Sequence, residues 1–489
     1  MSLKNKVQLI TYPDSLGGDL ISLNNILQKY FKDVFEGGIH ILPPFPSSGD
    51  RGFAPMTYME IDPSFGTWED IRSIGQNFDL MLDLMVNHIS KQSIWFQDFL
   101  KKGRNSEFAD LFLTLDKIWG DGIAKQEDVD NMFLRRTIPY SSFLIEETRK
   151  EETVWTTFGK HYPSEQIDLD ISSDATKKLL TSFMVNFSTN NIKTIRLDAV
   201  GYVIKKPGTS CFFVEPEIYR FLSWIGELAK SLAIELLPEV HSHHSIQYKL
   251  AERGYWIYDF VLPFLILETL INQSSLRLLE YLKNRPDRQV TMLDCHDGIP
   301  VKPDLDGLVS SRDTQKIIDI CLQRGSNLSR VFPDKHKGED GFDVHQIRCS
   351  YYSVLDRNDD AYLAARAIQF FTPGIPQVYY VGLLAGQNDI ERVNRTGEGR
   401  EINRHIFTTG EIDCAVQKTV TRRLIKLIRF RNRYAAFDGI FKVVQTVKNR
   451  IIMEWEKNEY KCQLYIELET CQTIISYSDG NGTMKKYNV

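Results

Sequence analysis

The chain has 489 residues, 42% of them hydrophobic and 25% charged, with a formal net charge of −5 and a pI near 6.1. This is the length of one large domain with one or two smaller ones, and the composition of an ordinary soluble globular protein. The balance leaves no electrostatic footprint for nucleic acid or an anionic membrane, and seven cysteines without CxxC spacing argue against a disulfide framework or zinc knuckle.

The first apolar run, "VQLITYP" (7–13), ends in a turn and lacks the features of a signal peptide. It reads as a strand. Similar runs that end in polar residues follow at 38–45, 80–88, 192–200, 234–241, 289–297 and 376–382, with a weaker one at 255–263. Helical patterns lie between many of them, as at 176–190 and 217–233. The alternation predicts parallel βαβ units, and about eight such units predict a TIM barrel. A doubly wound sheet is the alternative, but no GxGxxG opens a helix after the first strand. The longest apolar segment, Phe260 to Ile271, contains Glu268 and is too short to cross a bilayer. A cytoplasmic protein without a membrane or nucleic-acid partner is expected.

Two stretches, 89–167 and 299–357, break this rhythm and are too long for ordinary loops. They read as excursions over the barrel mouth. After Gly439 the runs at 441–447, 450–456, 462–468 and 473–478, followed by "DGNG", predict a small antiparallel β domain. The expected division is therefore a barrel built from 1–88, 168–298 and 358–438, insertions at 89–167 and 299–357, and a β domain at 439–489.

The polar residues at the strand ends are Asp50, Asp83, His88, Arg196, Asp198, Glu239, His296 and Asp297. A barrel gathers such ends into one ring. Three carboxylates there, Asp198, Glu239 and Asp297, suit glycosidic chemistry: one attacks, one protonates the leaving oxygen, one holds the sugar as positive charge develops. Arg196 and Asp198 are two apart on a strand and so share a face. A guanidinium there favours the ionised carboxylate and fixes its direction. Taken alone, the pair also fits a structural ion pair. "HSHH" (241–244) has no matching ligand cluster, so no metal is predicted.

The segments "DLMVNH" (83–88), "IRLDAV" (195–200), "EVH" (239–241) and "DCHDG" (294–298) resemble the four ordered signatures of the α-amylase superfamily. "ITYPDSLGGDL", "HILPPFPSSGDRGFAP", "GTSCFFVEPEIY", "FFTPGIPQVYYVGLLAG" and "GREINRH" resemble, more narrowly, the sucrose phosphorylases. The resemblance runs nearly end to end. It implies a (β/α)8 barrel with B and B′ insertions and a C-terminal β domain. It also implies Asp198 as nucleophile, Glu239 as acid/base and Asp297 as transition-state stabiliser. His88 and His296 would bind glucose hydroxyls, and Asp50 with Arg400 would close the far end of the glucose pocket. Gln166, Arg196 and Tyr202 join the substrate-binding candidates.

The implied reaction passes an α-glucosyl group from fructose to phosphate through an ester on Asp198, with no metal or organic cofactor. Where the family has a Tyr-Arg-Pro-Arg run, this chain reads "MFLRRTIPY" (132–140), and "FDVHQ" (342–346) puts His345 in place of a tyrosine. Arg135 and His345 would then hold a phosphate on the fructosyl side, while Arg136, Asp343 and Gln346 shape the phosphate and fructose site. The expected substrates are sucrose 6′-phosphate or sucrose and inorganic phosphate, in a monomer or homodimer. A phosphorylase with another acceptor, such as glycerate or glycerol, a hydrolase or transglucosidase, and a non-catalytic barrel remain alternatives.

Overall fold

A computed structural model describes residues 3–330, 342–444, 447–479 and 483–489. Part of the predicted second insertion (331–341), and 480–482 of the "DGNG" turn, lie outside the described residues. All eight predicted barrel strands form: β1 (Gln8–Thr11), β2 (Gly38–Ile41), β3 (Leu80–Met85), β4 (Thr194–Asp198), β5 (Glu235–Pro238), β6 (Ile257–Asp259), β7 (Gln289–Thr291) and β8 (Ile375–Tyr379). They make one sheet in the order β6-β7-β8-β1-β2-β3-β4-β5. Chain neighbours are sheet neighbours, and β8 returns to pair in parallel with β1, Gln8 opposite Gln377. This is the cyclic order of a (β/α)8 barrel.

The strands are apolar because both faces are covered: all six residues of β3, including Asp83, are buried. The covering helices are amphipathic. Glu217–Ser231 buries Ile218, Phe221, Leu222, Ile225 and Ala229 at helical spacing. The helix Trp68–Gly75 starts at a capping box between Thr67 and Asp70.

The chain divides into two compact units. The first is built on Ile41–Val240 and contains β3, β4, β5 and the first insertion. That insertion leaves and re-enters through the antiparallel pair His88–Ser90 and Gln166–Asp168. It has its own small core, including Leu113, Trp119, Met132, Leu134 and Trp155. The second unit holds β1, β6, β7, β8 and the C-terminal region. There β9 (Ile440–Val443), β10 (Arg450–Lys457), β11 (Tyr460–Glu467), β12 (Gln472–Ser478) and β13 (Met484–Asn488) form an antiparallel sheet in chain order. Trp455 of β10 donates its indole N–H to the Phe371 carbonyl at 2.7 Å, tying this sheet to the buried helix Asp359–Phe371.

Candidate active site

β3 and β4 run in register with Asp83 opposite Arg196 and Met85 opposite Asp198. Neighbours across a parallel ladder share a face, so Asp83, Arg196 and Asp198 project together. The Arg196 guanidinium, 3% exposed, donates to Asp83 at 2.5 Å and to Asp198 at 2.7 Å. Its other terminal nitrogen stands 3.3 Å from Glu239. Glu239 arrives there because its amide extends the β4–β5 ladder past Pro238, donating to the Leu197 carbonyl at 3.0 Å. The Phe53 ring lies 5.8 Å from the guanidinium carbon. Arg196 is thus the centre of a cluster in which one cation meets three carboxyl groups.

Burial pushes the Asp198 carboxyl up to about 8; Arg196 opposes the rise, while the Glu239 and Asp83 charges add to it. The chain turns away directly after Asp198 through Ala199, which sits in the left-handed region at φ 55°, where side-chain-bearing residues are uncommon. The Ala199 amide donates to Glu239 at 3.3 Å. Two residues on, Gly201 has no room for a side chain: a β-carbon would lie 2.6 Å from the Phe212 ring.

His88 is buried, with Nε2 2.9 Å from the Phe53 carbonyl. A carbonyl only accepts, so Nε2 carries the proton. Burial lowers the His88 pKa, which keeps the ring neutral and leaves Nδ1 an acceptor. That atom is buried and meets no partner among the described residues. Gln166 lies buried on the strand paired with His88–Ser90. Lys205 fastens this pair of strands, with Nζ 2.7 Å from Asp168 and 2.7 Å from Asn87. The Tyr202 ring packs edge-on against Phe158 at 5.0 Å and Phe212 at 4.8 Å.

Asp50 begins a 3-10 turn, Asp50–Gly52, in which Asp50 and Arg51 both have φ 49°. Arg135 and Arg136 come directly after Leu134 of the insertion's small core and are half-buried. Arg136 donates to the carbonyls of Phe158 (3.1 Å) and His161 (2.8 Å). Asp343 is half-buried.

In the second unit His296 is buried, and its Nε2 lies 3.5 Å from Asp297. Its backbone carbonyl accepts from Arg404 at 3.0 Å, and its ring meets Tyr12 edge-on at 6.2 Å. Arg400 stands 3.7 Å from Asp297. Gly298 has φ 124°, and a β-carbon there would lie 2.5 Å from the Ile347 carbonyl oxygen, so the turn of "DCHDG" demands glycine. His345 is buried, with Nδ1 2.6 Å from the Lys302 carbonyl. Gln346 sits opposite Pro300 in an antiparallel ladder, and its side-chain oxygen is buried with no partner among the described residues.

Within the first unit, then, Arg196, Asp198 and Glu239 meet directly; within the second, His296, Asp297 and Arg400 do. Reading strand ends misses Phe53, Asn87, Asp168 and Lys205. Each flanks or holds a named residue, but the partners lie 35 residues apart for Phe53 and His88 and 118 for Asn87 and Lys205. Asn87 adjoins His88 and Asp168 lies two residues from Gln166, and that proximity is the one signal the sequence offers for them.

The family described as "Alpha amylase, catalytic domain" matches residues 5–272. A sucrose 6(F)-phosphate phosphorylase of Thermoanaerobacterium thermosaccharolyticum is 64% identical over 489 residues, covering 100% of both chains. A sucrose phosphorylase of Streptococcus mutans is 42% identical over 461 residues, 94% of each chain. The crystal structure of a sucrose 6F-phosphate phosphorylase from Thermoanaerobacter thermosaccharolyticum superposes with a TM-score of 0.97 at 63% identity, over 100% of this chain and 98% of that one.

Proposed function

The chain belongs to the sucrose phosphorylase family of the α-amylase superfamily, and on that premise we propose how its residues divide the work. The reaction is the reversible phosphorolysis of sucrose 6′-phosphate or sucrose to α-glucose 1-phosphate and fructose 6-phosphate or fructose, with retention at the anomeric carbon.

Asp198 attacks the anomeric carbon as a carboxylate and forms a β-glucosyl ester as the bond to the fructosyl oxygen breaks. Glu239 gives that oxygen a proton. Phosphate then attacks the same carbon, the ester bond to Asp198 breaks, and Glu239 recovers a proton from the incoming phosphate. Two inversions give retention. Asp297 stabilises the positive charge that develops on the sugar.

The observation that carries this reading is Arg196. Asp198 and Glu239 face one guanidinium and titrate as a pair. Arg196 donates to Asp198 at 2.7 Å and stands 3.3 Å from Glu239, so negative charge is better held on Asp198. The proton the pair retains then sits on Glu239, where an acid is needed. His88, with a neutral ring and Nδ1 as acceptor, takes a glucose hydroxyl; His296, Gln166 and Tyr202 line the same sugar, and Asp50 and Arg400 close the blind end. This pocket takes a single terminal glucosyl unit and leaves the interior of long α-glucans uncut.

On the acceptor side, Arg135 and His345 bind the phosphate of sucrose 6′-phosphate, and Arg136, Asp343 and Gln346 shape the fructose and phosphate site. The 64% relative named for the phosphorylated substrate supports that preference. The test is phosphorolysis of sucrose and sucrose 6′-phosphate side by side. A higher kcat/KM for sucrose 6′-phosphate is expected; a preference for plain sucrose would remove the phosphorylated-acceptor reading and leave the family assignment standing.

A further inference from the structure

The "HSHH" stretch is not one site in the fold. His243 caps the helix His244–Glu252, its Nδ1 accepting from the Ser245 amide at 3.2 Å. The His244 ring stacks near His243, with centroids 4.2 Å apart. His241 has separate surroundings. Its ring lies flat on Phe260, with centroids 3.8 Å apart and an interplanar angle of 14°. Its Nδ1 is 3.4 Å from a carboxylate oxygen of Asp304. Asp304 is fully buried and also accepts from Gln247 at 3.3 Å. The ring of His345 stands edge-on to His241, centroids 5.6 Å apart, and its own Nδ1 is 2.6 Å from the Lys302 carbonyl.

Two imidazoles are therefore held through the same nitrogen by one three-residue segment, 302–304. A carbonyl and a carboxylate only accept, so each Nδ1 carries its proton and donates. Each ring then directs its Nε2 edge away from the segment. Gripping Nδ1 fixes the ring's direction, as an outer carboxylate does for a histidine that binds a ligand, and places the second proton of the imidazolium on Nε2, where it can donate to a phosphate oxygen. The flat stack on Phe260 removes the remaining rotation of His241.

We propose that Asp304 is a positioning residue for the acceptor phosphate: it aligns His241 beside His345 so that both rings address that group. This rests on the phosphorylated-acceptor reading above. A carboxylate that merely satisfies buried neighbours would change stability and leave the choice between substrates alone, so the two roles separate by experiment.

The experiment compares the parent, Asp304→Asn and His241→Gln in phosphorolysis of sucrose 6′-phosphate and of sucrose, with melting curves for each. Both variants should raise KM for sucrose 6′-phosphate roughly fivefold to tenfold, the scale of one weakened charge-assisted hydrogen bond. The KM for sucrose and both kcat values should move by less than about twofold, well inside that scale. Combining Asp304→Asn with His241→Gln should add little to either alone, because they interrupt one chain of contacts. The outcomes separate the two claims. A parent that does not favour sucrose 6′-phosphate removes the acceptor reading, and this inference with it. A parent that does favour it, with the preference intact in folded Asp304→Asn or His241→Gln, removes the positioning role alone. Equal losses on both substrates also overturn it. Should Asp304→Asn fail to fold, His241→Gln decides by the same criteria.

Discussion

Replacing Asp198 with Asn should abolish glucosyl transfer and at the same time make the protein more stable, increasingly so as pH rises. The folded Asp198 carboxyl is pushed up to about 8 from 3.8, chiefly by burial. A group whose folded pKa is raised contributes stability that is whole below its unfolded pKa and is lost as pH climbs through the folded one. The window here runs from about pH 4 to about pH 8, between the ordinary carboxyl value and the raised one. At pH 7 the unfolded Asp198 is ionised, about three pH units past its pKa, while the folded Asp198–Glu239 pair still holds one proton between its two carboxyls, a handicap of at most about 4 kcal/mol. The side chain is 14% exposed and shares its proton with Glu239, so about 2 kcal/mol is the working figure. Asparagine keeps the shape and removes the titration. Arg196 is not stranded, because Asp83 still accepts from it at 2.5 Å. At roughly 2.1 cal/mol/K per residue, a chain of this length loses about 1 kcal/mol per kelvin near its Tm, so the gain is about 2 °C. Calorimetric melts of parent and Asp198→Asn at pH 4.5, 6, 7 and 8 would check it. An offset that grows with pH is expected. A variant that melts below the parent at pH 8, or an offset that ignores pH, would refute the reasoning.

Three further outcomes follow from the same geometry. Glu239→Gln should slow cleavage of sucrose 6′-phosphate by about 10²–10⁴-fold, the usual worth of a positioned acid, and cleavage of a glucosyl donor with a good leaving group far less; equal losses on both donors would contradict the acid role. In the parent, kcat/KM should fall above about pH 8, as the Asp198–Glu239 pair gives up its shared proton, and a profile flat to pH 9.5 would count against that assignment. Lys205→Met leaves Asp168 and Asn87 without the ammonium that joins them and should cost about 3–5 kcal/mol, the scale for breaking a buried ion pair, together with a raised KM for the glucosyl donor; a melt within 1 °C of the parent would show the tie to be dispensable.

The barrel was legible because its strands are short apolar runs with polar ends, a pattern that burial on both faces imposes. Their ends were less so. The run at 289–297 reads as one strand, but β7 stops at Thr291, and Asp294 beyond it turns to Arg366 at 2.8 Å. The last strand, Met484–Asn488, went unread because four of its five residues are exposed; only backbone pairing with β12 makes it a strand. Lys205 was invisible for the opposite reason. "KK" looks like a solvated surface, and nothing local says that the first lysine is buried.

The pair inside "IRLDAV" shows where sequence reading stops. Period two places Arg196 and Asp198 on one face, and that much needs only the strand. Asp83, which accepts from Arg196, lies 113 residues earlier and reaches it only through the register of β3 against β4, Asp83 opposite Arg196. A slip of one residue would carry Asp83 to the other face. Arg196 would then meet two carboxyls instead of three, and the charge balance that holds a proton on the Asp198–Glu239 pair would change. The chemistry read from a strand's own residues therefore depends on a partner that the strand cannot reveal. Sequence names the groups that do the work, and register sets the protonation state in which they do it.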